Sequence, residues 1–399
     1  MRGSRRRTAA VSAVLAAVLG LAGCSGGGGS GDGGHRVREV RAADTMGPGE
    51  GSVALLTWSG YAEDGSNDPR VDWVTPFQKK TRCRVDVKYA ANAQEMLQLM
   101  SKPNLRYDGV AAPPEIAGQL VADRQVVPVN PDLIDGYKDL EPALRAQLTK
   151  AGKPYGVPFT WGANLLMYDQ KVVRTAPDSW GALFDPAEAK KYAGRLVVRD
   201  SPLTFGDVAL YLKAHDPKLK IKNPFALTGK QLAAAQSVIA KQHPYVSTYW
   251  LNPSDAIAPF ADGQAALGQV WPYQVDVLSR SGRSVAGVTP REGVTGWMDA
   301  WMVGARGSHP NCMYQWLNWV SSPEVQQQVA EWDGVAPANP EACGRDRLRA
   351  QFCSAYHVGD RSYLNKIIFA RTPAKDCGGP GEDCADYAAW TRAWQTARH

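Results

Sequence analysis

From Ser52 onward, short apolar runs alternate with amphipathic segments. Residues 53–58 (VALLTW) form a continuous apolar run that stops at Ser59-Gly60-Tyr61, predicting a buried strand and a turn. Residues 73–80 predict a helix, and residues 84–89 a second strand. Asn92 with Glu95 three residues later is a helix-start pattern, and the helix it opens carries Met96, Leu99 and Met100 on one face. Residues 107–110 predict a short third strand, and residues 156–168 an extended apolar segment able to pass from one lobe to another. The pattern then repeats. It predicts strands at 195–198, 265–271 and 296–303, and helices at about 206–214, 228–242, 311–320 and from Ser322-Pro323 to Trp332. Strands alternating with helices predict an α/β body with a largely parallel sheet. No repeat of solenoid period occurs.

The first residues, MRGSRRRTAAVSAVLAAVLGLAGC, break this pattern: a basic start, an apolar run at 9–21, then small residues and Cys24. The run falls short of the ~20 residues a bilayer-spanning helix needs, so it reads as an export signal. Leu21-Ala22-Gly23-Cys24 resembles the lipobox of bacterial lipoproteins, which implies a signal peptide at 1–23 and diacylation of Cys24. The other reading is an ordinary secretory signal with an incidental cysteine. Residues 25–51 are rich in Gly and Ser without apolar periodicity, so 24–51 predicts a lipidated Cys and a flexible tether outside the fold. The expected location is the outer face of the cytoplasmic membrane, with the protein anchored by lipid rather than spanning the bilayer.

Charge changes little. The chain has 399 residues and a formal charge of +6, but Arg2, Arg5, Arg6 and Arg7 lie in the signal, so the remainder carries +2. That excludes the electrostatic footprint of a nucleic-acid binder. With Cys24 taken by lipid, six of the seven cysteines remain, an even number in an exported chain, which predicts three disulfides. Cys377 and Cys384 flank a turn-rich loop, Cys343 and Cys353 are close in sequence, and Cys83 with Cys312 is left as a long-range pair. The spacing offers no metal-site pattern.

In open α/β sheets, ligands bind beyond the carboxyl ends of strands. Trp58 and Tyr61 follow the first strand, Glu115 the third, Asp200 the run 196–198, and Trp271 with Tyr273 the run 265–271; Trp297 and Asp299 lie on the return strand. Aromatic faces attract ammonium groups and carboxylates accept charge-assisted hydrogen bonds, so this set has the chemistry of a cation box. Two readings of Asp200 stand: ligand contact, or cap of the following helix. Trp301 alternates with Trp297 and Asp299 and reads equally as cleft or core. Trp180, Trp316, Trp319, Trp332, Trp390 and Trp394, in helical contexts, read as packing.

These residues also carry a family resemblance. Trp58-Ser59-Gly60-Tyr61, Gly156-Val157-Pro158-Phe159-Thr160-Trp161-Gly162, Ser179-Trp180 through Leu183-Phe184-Asp185-Pro186, Gly296-Trp297-Met298-Asp299 and Ala336-Pro337-Ala338-Asn339 resemble, in that order, the solute-binding lipoproteins of bacterial polyamine (spermidine/putrescine) ABC importers. The similarity spans roughly residues 52–342. It implies a two-lobed α/β fold of the type II periplasmic-binding class, with hinge-crossing segments and a ligand cleft between the lobes. The lobes would comprise 52–159 plus about 297–342, and 160–296 plus about 343–399, the latter including a disulfide-rich C-terminal extension. It also implies an aromatic box of Trp58, Tyr61, Trp271 and Trp297 with the carboxylate Asp299. Pro113 and Glu115 stand where the family has Ser and Tyr. Ser201 and Thr204 replace an acidic pair, and a Tyr expected near Val335 is absent.

No H-E-x-x-H, G-x-S-x-G, Walker loop or G-x-G-x-x-G follows the strands, so neither catalysis nor a cofactor is expected. The reading is an importer receptor. It would capture a small cationic solute, such as putrescine or spermidine, and dock as a monomer on a membrane permease served by an ATPase. A receptor for a sugar or amino-acid derivative, a cell-surface hydrolase using Glu115, Asp200 or Asp299, and a sensory lipoprotein are the alternatives.

Overall fold

The computed structural model describes residues 42–377 and 383–398. The proposed signal peptide, Cys24 and most of the tether lie outside the described residues. Two sheets organise the fold. The first runs in the order Ala336–Pro337, Val157–Ala163, Val294–Gly304, Gly109–Ala112, Ser52–Thr57, Arg84–Tyr89. Val126–Val127 and Ile367–Phe369 also pair with Val294–Gly304. The second runs Val246–Trp250, Leu196–Arg199, Leu267–Val270, Leu165–Asp169, Val285–Val288.

The chain passes between the sheets within the apolar stretch 156–168. Val157–Ala163 belongs to the first sheet, Leu165–Asp169 to the second, and Asn164 joins them. It returns from Val285–Val288 to Val294–Gly304. Every residue of Val157–Ala163 and Val294–Gly304 is buried. Such strands, covered on both faces, read as continuous apolar runs rather than alternating ones. The expectation of a largely parallel sheet is corrected: both sheets are mixed. Ser52–Thr57 pairs in parallel with both its neighbours, but Val294–Gly304 runs antiparallel to Gly109–Ala112 and to Val157–Ala163. Crossing strands enter from the opposite lobe, and apolar runs carry no information on direction.

Helix ends follow the sequence closely. Asn92 accepts a hydrogen bond from the Glu95 backbone N–H, and Thr228 and Gln231 form a capping box that opens Gly229–Gln242. The tether is shorter than expected. Glu50 accepts hydrogen bonds from the backbone N–H groups of Asn311 and Cys312, at the start of helix Pro310–Val320, and Asn130 donates to the Ala43 carbonyl. A carboxylate at a helix N-terminus satisfies orphan donors and meets the positive end of the dipole. Residues 43–51 are therefore part of the body.

The three expected cysteine pairs are at bonding distance: Cys83–Cys312, Cys343–Cys353 and Cys377–Cys384. The C-terminal extension reaches both sheets rather than the second lobe alone. Ile367–Phe369 joins the first sheet, and Thr372 bonds to the helix Pro114–Ala122. The final helix Tyr387–Ala397 buries Trp390 and Trp394 on Phe205 of the second lobe. Among the described residues, no helix is long and apolar enough to cross a membrane.

Candidate ligand-binding site

Asp299 sits mid-strand at an irregularity. It pairs with Thr160, yet the next residue, Ala300, pairs with Pro158, so Phe159 is skipped. Bulges of this kind re-aim side chains and recur beside functional sites. Asp299 is 6% exposed and takes two hydrogen bonds on one oxygen, Oδ2: from Trp58 Nε1 at 3.1 Å and from the Tyr61 hydroxyl at 3.0 Å. The Tyr61 hydroxyl also lies 2.6 Å from Thr160 Oγ1. Burial, and next the charge of Glu115, push the Asp299 carboxyl up to about 7; the bonds from Tyr61 and Trp58 and the nearby Arg199 oppose that rise. Asp333 lies close by, with Oδ2 buried and unpartnered; burial and the charges of Glu63 and Asp299 raise it well above the usual carboxylate range.

Two residues earlier on the same strand, Trp297 belongs to a cluster of rings. Trp271 and Trp297 are 4.8 Å apart between centroids, and Trp250 meets Trp271 edge-on at 5.0 Å. Trp297 lies against Gly162, where a Cβ would come within 2.7 Å of the indole, so only glycine leaves the ring its place. Trp271 Nε1 donates to Asn164 Oδ1 at 3.0 Å. Asn164, the crossing residue, donates in turn to Asp207 Oδ2 (3.0 Å) and Thr295 Oγ1 (2.7 Å). Asp207 also accepts from Gln269 and Thr295, yet burial still lifts it to about 6. Polar groups buried at the junction of the sheets thus fix the orientation of Trp271. Arg199, at the end of its strand, places its guanidinium 4.9 Å from the Trp271 ring centre and 3.4 Å from Glu115. The arrangement can hold an ammonium: an acidic oxygen, ring faces, and little water.

The model of the bacterial extracellular solute-binding protein family matches residues 72–345, more than half of the chain. The chain belongs to this family. This solute-binding protein is 22% identical over 299 residues to the spermidine/putrescine-binding periplasmic protein of Escherichia coli (strain K12), covering 72% of this chain and 82% of that one. It is 24% identical over 318 residues to the putrescine/agmatine-binding protein of Pseudomonas aeruginosa, covering 75% and 82%. A solved spermidine/putrescine ABC transporter substrate-binding protein from Streptococcus pneumoniae superposes with a TM-score of 0.66 at 16% identity, covering 87% of this chain and 99% of that one. The fold is thus the two-lobed type II periplasmic-binding fold.

Of the residues singled out from the sequence, the structure of this solute-binding protein brings together Trp58, Tyr61, Glu115, Trp271, Trp297 and Asp299. It does not bring in Asp200 or Tyr273. Asp200 accepts from Trp394 Nε1 at 2.8 Å and pairs with Arg398, so it anchors the final helix. Tyr273 lies on Gly334, at a separate cavity shared with Asp276, Arg280 and Tyr356. Trp301 is core, packed edge-on against Phe159 and Trp316. Sequence reasoning missed Arg199, Thr160, Asn164, Asp207 and Asp333. For Arg199 the strand-end position was visible, but successive strand residues point to opposite faces, and the position alone does not choose between Arg199 and Asp200.

Proposed function

We propose that the protein is the substrate-binding lipoprotein of an ABC importer and that it captures a small amine-bearing cation, the class to which putrescine and spermidine belong. Cys24 would carry the lipid, and a membrane permease with its ATPase would receive the loaded monomer. One observation carries the reading: Asp299 is buried against the Trp58 indole and the Tyr61 ring with both its hydrogen bonds on one oxygen, and no described donor reaches Oδ1. An ionised buried carboxylate that bonds to no cation among the described residues is costly, and an ammonium supplies that partner. Trp58 and Tyr61 follow a first-sheet strand, whereas Trp271 follows a second-sheet strand. A guest touching both sets would be bound best when the lobes are closed.

Calorimetric titration with putrescine, spermidine, glucose and alanine tests this. Amine binding is expected, with Asp299→Ala weakening it about a hundredfold or more, in line with loss of one partner of a buried charge pair. Trp297→Ala should weaken it by a few-fold to about thirtyfold. Binding of the sugar alone, or amine binding that survives Asp299→Ala, overturns the proposal.

A further inference from the structure

Arg199 is a cation resident in a cation box. Its side chain is 17% exposed, and its partner Glu115 is 8% exposed. The guanidinium offers five N–H donors, yet its one hydrogen bond among the described residues is the 3.4 Å contact from Nη2 to Glu115 Oε1. The side chain is only partly covered, so the remaining N–H groups of the fork stay open to an incoming acceptor. Trp297 Nε1, in the same cluster, is buried with no acceptor either. Meanwhile, among the described residues, the positions that follow Arg199 offer no free carboxylate. Ser201 and Thr204 are neutral, and Asp200 is held by Trp394 and Arg398. A linear diamine with one ammonium on Asp299 would bring its other ammonium toward a fixed positive charge.

We propose that Arg199 sets specificity for solutes with one ammonium and a hydrogen-bond-accepting far end, a carboxylate being the best match to the guanidinium fork. The inference rests on the reading that Asp299 holds an ammonium. In such a complex the ammonium meets Asp299 and the indole faces. The far end takes the donors of Arg199, which stays stacked on Trp271. Glu115 keeps the guanidinium in place by a single long contact that leaves most of the fork open. Arginine suits this role because its planar donors pair with a carboxylate in two parallel bonds, a geometry lysine lacks.

The test is a calorimetric comparison of putrescine, 4-aminobutyrate and 4-aminobutanol, probes of equal carbon count, on the full chain and on Arg199→Gln and Glu115→Gln. The native protein should favour 4-aminobutyrate over putrescine, with 4-aminobutanol between them. Arg199→Gln should shift that ratio toward putrescine by about tenfold or more, the size of a removed like-charge contact. Glu115→Gln removes the competing charge while its amide oxygen can still accept from the guanidinium, and should raise the preference for 4-aminobutyrate over putrescine. Preference of the native protein for putrescine, or a ratio that neither variant moves, overturns the specificity role while leaving the amine reading intact. Silence toward all three probes overturns both.

Discussion

At the scale of single residues, Asp299 couples binding to protonation. Its carboxyl is raised from 3.8 to about 7 in the folded chain, first by burial and then by Glu115. A raised acid favours the protonated form when folded. The stabilisation is therefore complete below the unfolded value and is lost as pH rises through about 7. Asp207, raised to about 6, slopes the same way. Asp299→Asn removes the larger contribution, and at pH 8 it should stabilise the unliganded protein by on the order of 2–4 kcal/mol while weakening amine binding. Melting at pH 5 and pH 8 checks this: a variant no more stable than the native chain at pH 8 contradicts it. An ammonium needs the ionised carboxylate. Amine affinity should therefore fall about tenfold per unit below pH 7, and binding at pH 7 should release protons, visible as a titration heat that changes with the buffer. Trp58, Trp271, Trp297 and Asp299 were legible in the sequence because strand ends and an alternating return strand place side chains without knowledge of the fold. Arg199 was not, because the strand-end rule names a position and leaves two adjacent residues on opposite faces.

At the scale of elements, Asp200, which the sequence left as ligand contact or helix cap, takes neither of those places. Asp200 receives the indole N–H of Trp394 and the guanidinium of Arg398 and so fastens the final helix Tyr387–Ala397 to the end of the strand Leu196–Arg199. Asp200→Asn should lower thermal stability by about 1–3 kcal/mol, the usual cost of weakening a charged hydrogen bond, and leave amine affinity unchanged. A large affinity loss would return Asp200 to the binding site. Asn164 is the converse case, a residue that need not touch a guest. It holds Trp271 through Nε1 and ties Asp207 and Thr295 together across the passage between sheets. Asn164→Ala frees one indole and leaves buried partners unpaired, so both stability and amine affinity should drop, with Trp271 fluorescence altered. Unchanged affinity and emission would show that Trp271 is positioned without it. Helix starts at Asn92, Thr228 and Ser322 were readable because caps are local chemistry. The mixed sheets and the Asn164–Asp207 network were not, since both arise only when distant segments cross.

At the scale of the molecule, the first sheet is discontinuous in sequence: its chain leaves after Ala163 and returns at Val294. The disulfide Cys83–Cys312 joins the two halves, one cysteine before the strand Arg84–Tyr89 and the other inside the helix Pro310–Val320, 229 residues apart. Gly49 packs on both sulfurs, where a Cβ would come within 2.7 and 3.0 Å. All of the second sheet lies within that covalent loop. Loop-closure entropy assigns this bond about 5 kcal/mol, against roughly 2–3 kcal/mol for Cys343–Cys353 and Cys377–Cys384, which close loops of only 10 and 7 residues. The double variant Cys83→Ser with Cys312→Ser should therefore lose more stability than either of the other paired replacements. Its solute preference should persist, because Asp299 accepts from Trp58 and Tyr61 and Trp271 donates to Asn164, contacts in which the bridge takes no part. Denaturant midpoints of the three double variants, with one amine titration each, check both parts. Equal losses would mean that packing of Trp316 on Phe77 and Trp301 already unites the halves without the covalent tie.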